Sequence, residues 1–530
     1  MYKRQVQQTT DNDTPYTRGE DSGQNQWTWQ HYNATVGYDG TFGRHVVSAS
    51  AGILYNIYKT DFSQNGAAGK MVEYRHMTVN GAVNYAYDDR YVATFSFAAD
   101  GSDNYRPGNR WGFYPSLGLG WIVSRERFLR DSRMVDLLKL RASVGKNGWD
   151  PMGEMRYLWE GYYTGRGGLN TGNSEHTWHG GTALSYLPNP DVFAEKSLKY
   201  DAGIDLRLWN RLSLNVDLFL EKRSGIVTQD WMIPGASGVD NPPYRNIGRM
   251  TNKGFEVQLS WADRIGDFNY ALTGMASYNS NKVDYMAEVV TVPTAARTGR
   301  RLDALFGYVA DGFYDWDDFD VGGELREGLP KPTFGAVQPG DIKYKNLNGD
   351  TVIDENDQTA IGDSYLPKLQ YSFSLAASYK GFDLFALFQG AAGRDVNLLD
   401  APLQNVAFRD NGNVYGIAEG RWAYYPEQGI DTRATATYPR LSLQDNSNNY
   451  RNSTLWKRSG DFLKLRNVEL GYTFAQPSLS KAGISKIRIY LSGVNLLTVS
   501  RLMRDYDIDP EILSGHPALK SYNLGLTVTF

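Results

Sequence analysis

The chain ends on a run in which every second residue is apolar to the last atom: Tyr522, Leu524, Leu526, Val528 and Phe530, separated by Asn523, Gly525, Thr527 and Thr529. Period two marks a strand with one face in a polar medium and the other against something apolar. Terminal residues ordinarily fray into water. A strand that alternates to its final side chain therefore needs a neighbour to pair with and an apolar medium for one face. A bilayer crossed by a β-barrel supplies both, because in hydrocarbon every backbone polar group must be paired between strands.

The same alternation recurs upstream. Leu212, Leu214, Val216, Leu218 and Leu220 interleave with Ser213, Asn215, Asp217, Phe219 and Glu221, and comparable runs occur at 201–208, 255–261 and 371–379. A soluble β-sandwich would also alternate. The connections discriminate between the two. Short turns fall near residues 40–43, 88–90, 210, 263–266 and 381, and long polar connections at 59–71, 148–195, 228–247, 283–366 and 395–460. Short alternating with long is the loop asymmetry of outer-membrane barrels, with tight periplasmic turns and long extracellular loops.

This pattern predicts about fifteen membrane strands. The first lie near 27–39 and 44–58, the last near 462–474, 484–497 and 518–530. Residues 306–315 and 341–344 are strand-like but would break the alternation, so they are assigned to an external loop. The C-terminus is then expected in the periplasm. Residues 125–138 read as the one helical patch, in a periplasmic connection, with a short capping turn as the plainer alternative. Residues 1–26 are read as the start of a fragment or an extracellular loop, and 27–530 as the barrel domain. An odd strand number does not make a bacterial barrel, and the polar sequence after Met1 is no secretory leader. Both lead to the expectation that an N-terminal portion precedes this chain.

Composition agrees. The 36 Tyr and 13 Trp suit a membrane interface, ring in the headgroups and polar tip in water. A mean hydropathy of -0.49, without an apolar run near ~18 residues, excludes helical spans but not strands, of which only alternate residues meet lipid. The net charge of -4 and the lack of a basic stripe argue against nucleic acid. Without Cys there are no disulfides, thiolate metal sites or cysteine nucleophiles. The six histidines (His31, His45, His76, His176, His179, His516) lack zinc-protease spacing, and no nucleophile elbow or phosphate loop appears. No catalytic residue is assigned, and the chain reads as a non-enzyme.

One segment has the spacing of a calcium loop. Asn346, Asn348, Asp350, Asp354 and Asp357 place side-chain oxygens at loop positions one, three, five, nine and twelve, with the Val352 carbonyl between them. Hard Ca²⁺ takes about six to eight such oxygens. The first ligand is Asn and Thr351 replaces the turn glycine, so an Asx-rich hairpin without metal is the competing reading. A structural Ca²⁺ is the only cofactor expected. The external loops carry Trp149, Tyr157, Trp159, Tyr162, Tyr163, Trp178, Trp231, Trp422, Tyr424 and Tyr425, rings that can stack on sugars, pack peptide side chains or simply anchor loops.

Several motifs recur in a fixed order. They are FYPSLGLGW at 113–121, LLKLRASVG at 137–145, NPD at 189–191 followed by Glu195 and Lys196, NKGFE at 252–256, PGDIKYKNLNGD at 339–350, DFLKLRNVELGYTF at 461–474, GVNLL at 493–497 and DPE at 509–511. In this order the chain resembles the C-terminal barrel portion of SusC/RagA-family TonB-dependent outer-membrane transporters. The resemblance implies a 22-stranded barrel with an N-terminal plug, energised through TonB–ExbB–ExbD, and a SusD-like surface lipoprotein as lid. It also implies outer-membrane lipid around the wall and an oligosaccharide cargo, or an oligopeptide as the alternative. A terminal residue such as Phe530 resembles the signal by which outer-membrane proteins reach the barrel-assembly machinery.

Overall fold

Fifteen of the alternating segments pair edge to edge into one antiparallel sheet, each strand hydrogen-bonded to the next in chain order. They are Trp27–Phe42, His45–Thr60, Val72–Tyr87, Tyr91–Ser102, Trp111–Ile122, Val135–Trp149, Glu195–Leu208 and Leu212–Gln229, then Tyr244–Ile265, Phe268–Tyr285, Leu369–Tyr379, Phe382–Ala392, Phe462–Phe474, Lys486–Ser500 and Ser521–Thr529. The structure is a computed structural model, which describes residues 27–60, 72–150, 156–161, 163–171, 177–184, 186–234, 241–290, 292–400, 405–408, 412–443, 446–474 and 483–530. The Trp27–Phe42 and Ser521–Thr529 strands form the two edges of the sheet. Among the described residues the remaining strand pairs are two-stranded ribbons within connections. A sandwich, which needs a second large sheet facing the first, is ruled out.

Register turns the sequence alternation into two chemically distinct faces. Tyr38, Ala49, Val83, Phe95, Leu117, Val144 and Tyr200 stand opposite one another across seven consecutive strands. One residue along, the row is Gly37, Ser50, Ala82, Ser96, Ser116, Gly145 and Lys199. The first face is apolar and open: Val36 is 76% exposed and Leu524 74%. A contiguous apolar surface of this extent is not left to water; it is the face for lipid. On the Trp111–Ile122 strand, Trp111, Phe113, Leu117, Leu119 and Trp121 all lie on it and are all exposed. The two tryptophans are ten residues apart, about 33 Å along the strand and about 23 Å along the membrane normal at roughly 45° tilt, the height of a barrel's apolar band.

The short-turn end of that face is ringed by aromatic residues. Tyr87 pairs with Tyr91 and Tyr91 with Trp121; Phe268 pairs with Tyr379, Tyr379 with Phe382 and Phe382 with Tyr472. The Trp261 indole N–H donates to the Tyr270 hydroxyl at 3.3 Å. Such a girdle anchors a barrel at the headgroup level. The turns are tight because residues there accept left-handed backbone: Asp88 and Asp89, Trp209 and Asn210, and Lys380 with Gly381 all have φ between 44° and 91°.

Three expectations change. Residues 125–138 form no helix. A single 3-10 turn covers Val123–Arg125, and a strand begins at Val135. A bulge between Val135 and Leu137 sets two residues against one, so the doubled Leu137-Leu138 imitates helical spacing. The connection expected at 228–247 is shorter, since its flanking strands run to Gln229 and resume at Tyr244. The 148–195 connection contains a hairpin, Tyr163–Thr171 with Thr177–Leu184. The strand-like segments at 306–315 and 341–344 do lie outside the wall: Ala310–Phe313 pairs with Ile342–Tyr344, and Leu305–Gly307 with Thr359–Gly362. Residues 1–26 lie outside the described residues.

Candidate functional site

The polar face carries the chemistry of a wet lumen. Arg141 reaches three carboxylates on neighbouring strands: Asp217 at 2.6 Å, Asp205 at 3.4 Å and Asp201 at 3.5 Å. Asn215, Asp217, Glu256, Gln258, Ser277, Gln370, Ser372 and Gln389 line a recess of about 400 Å³ beside it. A second knot joins Arg488 to Asp383 and Glu469. Alternate strand positions hold these groups, so they are absent from the apolar face.

At the long-loop end, three connections fold onto one another around a core of their own. Tyr308, Ile342, Tyr344 and Ile353 come from residues 286–368, Val396, Leu398, Tyr438 and Trp456 from 393–461, and Leu502 and Ile508 from 501–520. Trp456 is 1% exposed, packs edge-on against Tyr438 at 5.4 Å and donates its indole N–H to the Asn449 carbonyl at 2.7 Å. A buried polar clasp ties the first two connections. The Asp341 carboxylate accepts from the side-chain amides of Asn446 (3.0 Å) and Asn449 (2.9 Å) and pairs with Arg440 at 2.7 Å. The Ile342 N–H donates to Asn449 Oδ1 at 2.8 Å, and Asn448 donates to the Ile342 carbonyl at 2.9 Å. Irregular backbone can be buried here because Asn side chains supply the missing partners. Burial pushes the Tyr344 phenol well above its ordinary value.

The third connection is pinned to the wall. Lys464, on the Phe462–Phe474 strand and 1% exposed in its side chain, donates to Asp509 at 2.8 and 3.1 Å and to Glu511 at 2.7 Å. Arg466 also pairs with Glu511. Burial raises the Asp509 carboxyl, but the Lys464 ammonium and the Glu511 N–H outweigh it and leave the group below its usual range. Glu511 is likewise lowered, burial being outweighed by Arg466 and Lys464.

On the outer surface of the loop core lies a cleft of about 540 Å³ between Trp316, Phe319, Val321, Tyr424 and Tyr425, with Asp320, Gln338 and Arg440 as its polar groups. Trp316 and Tyr425 stand 56% and 53% exposed. Arg433 stacks on Tyr424 at 3.9 Å and pairs with Asp315 and Asp431, which fixes one wall. Of the aromatics singled out from sequence, Trp422, Tyr424 and Tyr425 meet here, Trp422 as a buried part of the lining. Trp149, Tyr163, Trp178 and Trp231 are exposed elsewhere. Tyr162 lies outside the described residues. Trp316 went unnoticed in the sequence, where a lone Trp before Asp317-Asp318 has no periodicity to mark it.

Asn346, Asn348, Asp350, Val352, Asp354 and Asp357 sit on one tight loop, and its oxygens face N–H groups. Asp357, fully buried, accepts from the Leu347 N–H at 2.7 Å and the Asp354 N–H at 2.9 Å. Asn346 Oδ1 accepts from the Gly349 N–H (2.6 Å), Asp350 from Val352 (2.8 Å) and Asp354 from Asn356 (2.8 Å). Among the described residues no three acidic or histidine side chains converge as a metal cluster. The hydrogen bonds are those of successive Asx turns. Calcium titration of the native protein is expected to leave amide exchange at 346–357 unchanged. A protection gain on adding Ca²⁺, abolished by Asp350→Ala, would instead assign the metal to these ligands.

With the geometry established, comparison with known proteins places it. Residues 2–496 match the family model described as TonB dependent receptor-like, beta-barrel. TonB-dependent receptor P3 of Formosa agariphila is 26% identical over 93% of this chain and 51% of its own length. TonB-dependent receptor SusC of Bacteroides thetaiotaomicron is 26% identical over 85% of this chain and 43% of its own. The chain thus spans about half the length of the curated relatives it matches. The RagAB peptide importer in its open-open state superposes with a TM-score of 0.72 at 21% identity, covering 96% of this chain and 55% of that one.

Proposed function

We propose that this chain, which belongs to the TonB-dependent receptor-like β-barrel family, forms the C-terminal wall of an outer-membrane importer of nutrient oligomers. The observation that carries the reading is the two-faced sheet. One face exposes Val36, Leu218, Leu491 and Leu524, and the other holds the Arg141 and Arg488 ion knots. Lipid suits the first and a water-filled passage the second. The short-turn end faces the periplasm, together with the C-terminus, and the loop core faces outward. The likeness to SusC supports a SusD-like lipoprotein over the loops and TonB–ExbB–ExbD as the energy source.

The leading cargo is an oligosaccharide. Exposed Trp316 and Tyr425 beside Asp320 and Gln338 provide rings for sugar faces and polar groups for hydroxyls. An oligopeptide is the second reading, favoured by the cargo for which the RagAB importer is named. Uptake of labelled oligosaccharides and oligopeptides by cells carrying the native protein, with and without a Trp316→Ala/Tyr425→Ala change, separates them. Loss of sugar uptake alone supports the first reading, and loss of peptide uptake alone the second.

Phe530 lies one residue beyond the final strand and is 86% exposed, so the folded wall gains little from it. The resemblance to outer-membrane proteins suggests recognition by the barrel-assembly machinery as its role. Deleting Phe530 is expected to lower surface levels through periplasmic accumulation or proteolysis, while protein that does insert still transports. Unchanged surface levels would place the assembly signal elsewhere.

A further inference from the structure

The lipid face has a recess at its short-turn rim. Ala93, Leu119 and Ala142 are register partners on three adjacent strands. The two small alanines flank Leu119 one row in from the register partners Tyr91, Trp121 and Leu140, and together these residues line an apolar groove of about 420 Å³. Tyr91 and Trp121 aim their polar tips at one carboxylate: the hydroxyl donates to Glu126 Oε1 at 2.6 Å and the indole N–H at 3.1 Å. Glu126 therefore holds the turn between Ile122 and Val135 against the mouth of the groove.

That turn is basic. Its acidic neighbours are already engaged: Glu126 with Arg90 at 3.0 Å, Asp88 with Arg90 at 2.8 Å and Asp89 with Arg125 at 2.6 Å. Among the described residues, Arg127 and Arg133 are exposed and have no acidic partner, and Arg130 meets only its neighbour Asp131 at 3.7 Å. Between them Phe128 and Met134 stand 71% and 50% exposed. Exposed guanidinium groups interleaved with exposed apolar side chains, on the turn that Glu126 ties to Tyr91 and Trp121, match a phosphate above an acyl chain.

We propose that this groove and the Arg127–Arg130–Arg133 turn bind one anionic glycerophospholipid of the adjacent leaflet. The acyl chain lies over Ala93 and Ala142, and the phosphate sits among the three guanidinium groups. The proposal rests on the membrane reading above, and the test keeps the two apart. Native protein is recovered from membranes in detergent, delipidated, and titrated with phosphatidylglycerol or phosphatidylcholine in mixed micelles, with retained lipid read by native mass spectrometry. Phosphatidylglycerol is expected to be retained and phosphatidylcholine not. The triple change Arg127→Gln/Arg130→Gln/Arg133→Gln should weaken retention on the order of a hundredfold, at roughly fivefold per arginine near a lipid surface. Ala142→Trp, which fills the groove but suits a lipid face, should also abolish it. Equal retention of both lipids, unchanged retention in both variants, or displacement by inorganic phosphate would overturn the proposal while leaving the barrel intact. A photoreactive group at position 128 that captures a protein in place of lipid would assign the surface to that protein. Failure of the wild type to partition into membranes would overturn the membrane reading itself.

Discussion

Replacing Lys464 with Ala is expected to free the 501–520 connection from the wall at a cost of about 3–5 kcal/mol, because it strands a buried carboxylate without its cation. Asp509 is 4% exposed and sits with Glu511 on the Lys464 ammonium; Glu511 keeps Arg466, Asp509 keeps only backbone N–H donors. Amide exchange in the Arg501–Tyr506 helix is the local readout, and about 3 kcal/mol corresponds to more than a hundredfold loss of protection. The double change Lys464→Met/Asp509→Leu should recover most of it, since neither charge then remains to be desolvated. The pH dependence has a fixed sign. Asp509 and Glu511 are both held below their ordinary values. Their contribution is complete above the unfolded carboxylate range and is lost as pH falls through the lowered folded values, so the loop is expected to loosen only under acid, below about pH 4. Unchanged protection in Lys464→Ala would show that the pair contributes nothing to docking.

Trp456→Ala is expected to cost the loop core about 3–5 kcal/mol, the usual penalty for emptying a fully buried indole site. The loss includes the edge-on contact with Tyr438 and the hydrogen bond to the Asn449 carbonyl. Asn449 also holds Ile342 and Asp341, so the effect should spread from the 393–461 connection to the 286–368 connection. Protease sensitivity in both connections, with the barrel's resistance to unfolding in detergent unchanged, is the expected pattern. Trp456→Phe should be milder. Cleavage confined to the 393–461 connection would show that the Asn clasp holds without the indole.

These two effects fall where the sequence was least legible. Most of the wall could be read residue by residue because lipid and water impose a period of two on a strand, and Leu212–Ser224 keeps it before a bulge interrupts the pairing. The loop core has no such period. Tyr308, Ile342, Val396, Trp456 and Leu502 reach one another from three separate connections, and only tertiary packing relates them. Asn446, Asn448 and Asn449 look like loop polarity in the sequence, yet they are buried and act as backbone substitutes. The calcium-like spacing at 346–357 leaves two readings in the sequence, because Asx turns and metal loops both need short side-chain oxygens at alternate positions. The false helix at 125–138 came from a bulge, which shifts apolar residues out of period two. The cleft under Trp316 depends on residues from two connections, and no local pattern could assemble it.

On the proposed reading, the alternating faces of this sheet separate lipid from water. The chain contains no cysteine, so single cysteines at 214–218 can each carry a nitroxide label in the native protein in bilayers. Collision with oxygen, which concentrates in lipid, and with a water-soluble nickel chelate reads each position. Oxygen access is expected to peak at Leu214, Val216 and Leu218, and nickel access at Asn215 and Asp217, in strict opposition. Profiles that rise and fall together, or that show water on both faces, would contradict the account.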